Sequence, residues 1–138
     1  VRLHPVEARG RFGAARVARL ATMGPDGAPH LVPVVFAVAG DDIWTAVDAK
    51  PKRSRELRRV ENIAANPAVS LLVDHYEDDW SKLWWVRADG VAEIAGDWPD
   101  AEDGLLLLCE KYEQYQQEPP DGPVLHIRVH HWSGWAAS

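Results

Sequence analysis

Six of the fifteen lysines and arginines in this 138-residue sequence fall between positions 50 and 59: Lys50, Lys52, Arg53, Arg55, Arg58 and Arg59. Only Glu56 interrupts the positive charge, in a chain whose formal net charge is −6. Such a run is either a solvated helix face or an anion site. Its placement favours the anion, because it spans the end of a predicted strand and the start of a predicted helix. There, free backbone N–H groups and the positive end of the helix dipole add to the side-chain charge. Arginine forks pair bidentately with phosphate or carboxylate oxygens, and lysine adds a point charge. Asn62, one turn beyond Arg58 and Arg59, is placed to donate to the same ligand.

A second feature is aromatic imbalance, seven Trp against two Phe. Trp80, Trp84 and Trp85 crowd one stretch, and Trp132 and Trp135 another. Tryptophan offers a large flat face and one donor, which suits interfaces and planar ligands as well as cores, so both uses stay open for each cluster. The histidines (His4, His30, His75, His126, His130 and His131) show no i,i+4 helical pair and no cysteine at ligand spacing. No metal site is therefore expected, and each reads as a structural residue. Cys109 lies in a leucine-rich run with no activating base nearby in sequence, which fits a buried thiol. There is no dinucleotide-binding glycine fingerprint, phosphate loop or nucleophile elbow. Asp41-Asp42 and Asp78-Asp79 are accounted for by turns and loops. The acidic balance excludes general nucleic-acid binding, which relies on neutralising many phosphates. No apolar run approaches the roughly 20 residues of a membrane span, and no signal-peptide pattern opens the sequence, so a cytoplasmic location is expected.

The elements that must position these residues read as a single domain over 1–138, mainly β with peripheral helices. A short helix over 5–16 is expected, with Val6 and Phe12 facing the core. A strand over 17–21 runs into a Pro25-Asp26-Gly27 turn. Residues 30–38, nearly all apolar, predict a strand buried on both faces, in which Pro33 marks a bulge or an unpaired edge. After a Gly40-Asp41-Asp42 turn comes a strand over 43–47, then a helix over 51–65 carrying Leu57, Val60 and Ala64 on its apolar side. Asn66-Pro67 stops that helix. A strand over 68–74 follows, then a polar aromatic link over 75–82. Residues 83–94 read as a hairpin turned at Ala88-Asp89-Gly90. Asp97 and Pro99 open a second helix with an acidic first turn and a stripe of Leu105, Leu108, Cys109 and Tyr112. A last strand spans 124–129. Six or so antiparallel strands in so short a chain predict a closed or partly closed barrel.

The run from Ala18 to Thr22 followed by Pro25-Asp26-Gly27-Ala28-Pro29-His30-Leu31-Val32-Pro33-Val34 resembles the opening hairpin of pyridoxamine-phosphate-oxidase-like split β-barrels. Asp48-Ala49-Lys50-Pro51-Lys52, with Leu57, Asn62-Ile63 and Asn66-Pro67, resembles their strand-to-helix phosphate site. Asp74-His75-Tyr76, Asp79-Trp80, Leu83-Trp84-Trp85-Val86-Arg87 and Gly90 are similar to the branch that depends on coenzyme F420. The resemblance covers roughly residues 6–135. It implies a flavin-mononucleotide-binding-like split barrel, acting as a homodimer with two cofactor sites at the subunit interface. By position, Pro33, Val34, Thr45 and Val47 would border the ring or its ribityl chain. Lys50, Lys52, Arg53, Arg59 and Asn62 would hold the anionic tail, and Trp80 and Trp84 would reach toward the partner's site. The basic segment departs from the family pattern in being longer than the single Arg-Lys pair of the flavin-mononucleotide oxidases.

The implied activity is hydride transfer from reduced F420 to an unsaturated or conjugated small molecule. A proton would come from solvent, or from His30 or His75 if either faces the pocket. The alternatives are an FMN-dependent oxidase or reductase on the same fold, and a non-enzymatic flavin- or haem-binding protein.

Overall fold

The computed structural model describes residues 1–47, 54–96 and 100–138, with the backbone alone for 54–57. The opening helix α1 is Pro5–Ala14; proline preset at its first turn and His4 Nδ1 accepting from Val6 N–H start it. Its buried residues are Ala8 and Phe12, whereas Val6 is 62% exposed, contrary to the sequence expectation. Phe12 packs against Phe36 (4.9 Å between ring centroids) and Trp132 (5.2 Å).

Seven strands follow in one antiparallel sheet: β1 (Ala18–Met23), β2 (Pro29–Val34), β3 (Ala37–Ala39), β4 (Asp42–Ala46), β5 (Ala68–His75), β6 (Trp84–Ile94) and β7 (Val124–Ala136). Their order is β2-β1-β5-β6-β7-β4-β3. The β1–β2 turn takes Gly27 to φ 77°, the left-handed region that glycine enters without steric cost. The expected single strand over 30–38 is two strands, at opposite edges of the sheet. β2 alternates in burial rather than being buried on both faces. Pro33 sits there opposite Arg19 of β1, on an edge strand, where a missing ladder donor is tolerated.

Only Val35 and Phe36 join these two edges. A flat seven-stranded sheet would separate them by roughly 29 Å at ~4.8 Å per strand. The chain from Val34 to Ala37 can reach only about 11 Å. The sheet must therefore curl until its edges nearly meet. One core cluster accordingly contains Val34 of β2, Ile43 of β4, and Leu20, Leu71, Val86 and Ile127 from the strands between.

The seam is held by polar contacts. Thr45 Oγ1 donates to Val35 O at 2.7 Å. The Tyr112 hydroxyl accepts from Phe36 N–H at 3.1 Å and lies 3.0 Å from Phe36 O and 2.9 Å from Arg16 O, both acceptors for its single proton. Lys111 Nζ donates to Ala15 O and sits 3.9 Å from the Phe36 ring centroid. Burial, then Arg16, lowers this ammonium to about 8. Tyr112 and Lys111 are brought by the helical arm α3 (Asp100–Lys111) and α4 (Glu113–Gln117), joined at Tyr112. Leu108 and Tyr112 are buried on the expected stripe. Residues 97–99, read as the start of this helix, lie outside the described residues.

The predicted hairpin over 83–94 is instead the single strand β6. The Asp89-Gly90 pair that reads as a turn is a bulge against β7, where a Cβ on Gly90 would stand 2.3 Å from Arg128 O. β7 runs on to Ala136, well past the expected end at 129, and pairs with β6 over nearly its whole length. Of the tryptophans, Trp132 is a core residue whose Nε1 donates to Asp41, and Trp80 is 76% exposed. Helix α2 (Ser54–Ala65) places Val60 on the core as expected, with Ile63 there instead of Ala64, which is exposed; the side chain of Leu57 lies outside the described residues.

Tyr112→Phe leaves the buried Phe36 N–H without its acceptor, which costs about 1–3 kcal/mol. Urea unfolding should show that loss, while Leu106→Ala, on the exposed side of α3, stays within about 0.5 kcal/mol of the parent.

Candidate functional site

Beside the seam the sheet opens into a cleft of about 510 Å³, lined by His30 to Val35, by Thr45 and Ala46, by Arg59 and by Tyr115. β2 supplies one wall, because its residues are on an edge strand with free backbone on the outer side. β4 supplies the facing wall, α2 brings the cation and α4 the phenol. A second cavity, about 930 Å³, lies between the β1–β2 turn (Met23 to His30) and α2, where Arg58, Glu61 and Asn62 line it. His30 lines both.

The cleft gathers four of the residues expected there: Pro33, Val34, Thr45 and Arg59. Thr45 is almost wholly buried and its hydroxyl is engaged by Val35 O, so it shapes the wall rather than offering a free donor. Val47 does not line the cleft; its side chain is fully buried in the main core. Asn62 is also withdrawn from it. Its amide donates to Thr22 Oγ1 at 3.0 Å, a buried bond that ties α2 to β1, and it lines the second cavity. Lys50, Lys52 and Arg53 lie outside the described residues. Trp80 and Trp84 do not line this chain's cleft; Trp84 is half-buried with Arg11 5.4 Å above its ring. His75 pairs with Glu77 on the surface and is likewise absent from the cleft lining.

His30 is the titratable group at the centre of this arrangement. Its Nδ1 is buried without a hydrogen-bond partner among the described residues. Burial, then Arg58 and Arg59, pushes the imidazole below its ordinary value of 6.5. It is therefore neutral at pH 7, with one nitrogen able to donate and the other to accept. Tyr115 was not legible as a site residue. The stretch Glu113-Gln114-Tyr115-Gln116-Gln117 has no apolar periodicity, and only a lone aromatic in a polar run hints at a use.

The outer face of β2, β1, β5 and β6 carries a further open depression of about 550 Å³, lined by Arg19, Leu31, Leu72, Tyr76, Trp85 and Arg87 among others. Leu31 belongs to both this face and the cleft. It is 66% exposed and Tyr76 62%, so the apolar face is uncovered in the single chain. No helix among the described residues is long and apolar enough to cross a membrane.

Residues 5–136 match the pyridoxamine 5'-phosphate oxidase family. No curated protein matches the sequence. Among solved structures, a conserved hypothetical protein of Mycobacterium tuberculosis is 25% identical with a TM-score of 0.79, over 98% of this chain and 86% of that one. A FAD-binding protein of Mesorhizobium loti is 23% identical with a TM-score of 0.72, over 97% and 93%. A heme binding protein of Mycobacterium smegmatis is 19% identical with a TM-score of 0.74, over 99% and 60%.

The electrostatic reading of His30 has a direct check. Followed by NMR, its titration midpoint should fall below 6.5. Replacing Arg58 and Arg59 together by glutamine should move it upward, because two positive charges that oppose protonation are gone. A midpoint at or above the ordinary value in the parent would contradict the arrangement.

Proposed function

The chain belongs to the pyridoxamine 5'-phosphate oxidase family, and on that footing we propose that it is a deazaflavin-dependent reductase, working as a homodimer with coenzyme F420. The observation that carries this reading is the pair of cavities meeting at His30. Arg59 lines one and Arg58 the other, while Asp26 and Glu61 also line the second. Together they offer room for a planar ring beside the seam and for a long anionic tail along α2. One phosphate needs two or three cations and a helix start. F420 carries a phosphodiester followed by lactate and several glutamates, and a basic run from Lys50 to Arg59 suits that length.

When bound, the coenzyme supplies the two-electron chemistry, as a hydride donor. The chain's own residues bind, orient and exclude water. Pro33, Val34, Val35 and Ala46 form a largely apolar wall for the ring, and Thr45 fixes the wall's shape through Val35 O. Lys50, Lys52, Arg53 and Arg59 hold the tail. His30, neutral beside two arginines, would orient the substrate, a small unsaturated or conjugated molecule, through a hydrogen bond from its ring N–H, and the proton that completes the reduction would come from solvent. Asn62 serves the site from behind by holding α2 against β1.

The second copy is argued from the outer face. It displays Leu31, Leu72 and Tyr76 with Arg19, Arg87 and Asp74 among them. A two-fold contact sets a surface against itself, so a patch bearing apolar groups and both signs of charge is self-complementary. Because Leu31 lies at both the face and the cleft, a second copy there would also close the cleft from water.

An FMN-dependent enzyme and a flavin or haem carrier without turnover are the competing readings, and the similarity to FAD-binding and heme binding proteins keeps them in the test. Fluorescence titration of the parent should give tighter binding of F420 than of FMN, with the preference shrinking as salt rises, since exposed charges are screened beyond about 10 Å at 0.1 M. Neutralising Lys50, Lys52 or Arg59 should each weaken F420 binding by roughly fivefold, an exposed pair being worth up to about 1 kcal/mol. Tighter FMN binding moves the assignment to the flavin enzyme, and binding without substrate reduction moves it to the carrier. Sedimentation should show a dimer at micromolar concentration and Leu31→Asp a monomer; a monomeric parent would remove the shared site.

A further inference from the structure

We propose that Glu93, Asp100 and His126 form a binding site for a divalent transition-metal ion of the zinc type, which clamps α3 to the sheet. The three side chains come from β6, the first position of α3, and β7, and their ligand atoms all lie within 4.8 Å of one another. None of the three lines the coenzyme cleft, so the site stands apart from the proposed function and does not rest on it.

The tautomer of His126 decides what its ring can bind. The residue is 6% exposed, and its Nε2 lies 2.9 Å from Asp42 Oδ1. An ionised carboxylate only accepts, so Nε2 carries the proton. In the neutral ring Nδ1 then presents a lone pair. That atom is buried and has no hydrogen-bond partner among the described residues. It faces Asp100 Oδ2 at 3.4 Å and Glu93 Oε1 at 3.6 Å. A lone pair against two carboxylates is repulsive unless something positive sits between them.

The distances from Nδ1 suit a metal, and the two carboxylates, both outside the core and within 4.8 Å of one another, would draw together on it. Zinc bonds of about 2.1 Å to imidazole nitrogen and carboxylate oxygen set ligand separations of about 3.4 Å in a tetrahedron. The chemistry also fits: imidazole favours zinc-like ions over magnesium or calcium, and two carboxylates with one imidazole leave a position for water. Metal-bound histidines usually donate their other ring N–H to a carboxylate, and Asp42 occupies that place here. Charge points the same way. Asp42, Glu93 and Asp100 surround the ring, and Arg128, donating to Glu93 Oε1 at 2.8 Å, offsets one of them. A divalent ion balances the remaining two.

The fold preorganises the site. Trp44 stacks on His126 with centroids 4.8 Å apart and planes 6° apart, fixing the ring. Gly104 packs against the same indole, where a Cβ would clash with Trp44 Cδ1. Gly104 is one turn beyond Asp100 on the same side of α3. The close approach at Gly104 therefore delivers Asp100 to His126.

The test uses the untagged full chain, freed of metal with EDTA and then desalted, with zinc chloride as the probe. Isothermal titration at pH 7.5 should show saturable binding of one Zn²⁺ per chain, and zinc should raise Tm. Glu93→Gln and Asp100→Asn, both outside the core, should each weaken binding at least tenfold. His130→Ala and His131→Ala, exposed histidines elsewhere on β7, should leave it unchanged. His126→Ala should abolish binding, but it can also unfold the chain, so the two carboxylate variants decide. Absence of one-to-one saturation up to millimolar zinc would mean that a proton alone fills the gap and would overturn the proposal. Glu93→Gln and Asp100→Asn binding as tightly as the parent would overturn it equally.

Discussion

Two residues, Val35 and Phe36, connect strands at opposite edges of a seven-stranded sheet, and the rest of the molecule answers to that short link. A connection of this length forbids an open sheet, so curvature follows from connectivity rather than from any preference of the strands. Curling turns one face inward, and Leu20, Ile43, Leu71, Val86 and Ile127 become a single core. It also leaves a problem at the seam, where backbone groups of the link have no ladder partner. Buried polar groups cost too much to leave unpaired, so side chains from elsewhere must reach them. Thr45 and Tyr112 do so, and Tyr112 requires the α3–α4 arm to lie across the seam.

The same solution makes the cleft. Walls from β2 and β4 face each other because the two edges stop short of pairing, and Tyr115 enters from the arm that carries Tyr112. Apolar side chains and strand backbone dominate the walls, which suits a flat ring. The polar groups come from α2, whose Arg58 and Arg59 lie near His30 and add to burial, the larger cause, in depressing its basicity. An acidic protein thus concentrates positive charge where one helix passes the mouth of the barrel. Asn62 secures that helix, for its buried amide donates to Thr22 while the residue lines the second cavity.

Local patterns were legible where local physics decides them. Pro25-Asp26-Gly27 is a turn because Gly27 needs positive φ, and Asn66-Pro67 ends a helix because proline does. The barrel class and most of its strands were legible too. Long-range pairing was not legible. Ala88-Asp89-Gly90 has turn composition, yet the chain continues as a strand: Asp89 turns outward to Ser70 and Arg87, and Gly90 lets the Arg128 backbone approach. The apolar run over 30–38 gives no sign of the point where the chain leaves one sheet edge for the other. The resemblance put Val47 beside the ring together with Thr45; the two share one face, and Val47, just past the end of β4, is buried in the main core. Sequence spacing does not show the cluster around His126 for a related reason: Glu93, Asp100 and Asp42 reach it from three other elements, and no i,i+4 rule detects a cluster made by folding.

The α3–α4 arm connects these observations. It meets the sheet through Asp100 beside His126, through Gly104 on Trp44, and through Tyr112 at the seam, and it ends with Tyr115 in the cleft. The middle two attachments are direct packing and hydrogen bonding, which hold Tyr112 and Tyr115 in place whatever occupies the first. An ion at Asp100 would thus add stability at the far end of the arm without touching the cleft. This separation explains how a cleft without metal ligands and a cluster with metal-ligand geometry share one small domain. The first is built where the sheet fails to close, and the second where a helix start is pressed onto strands that do pair.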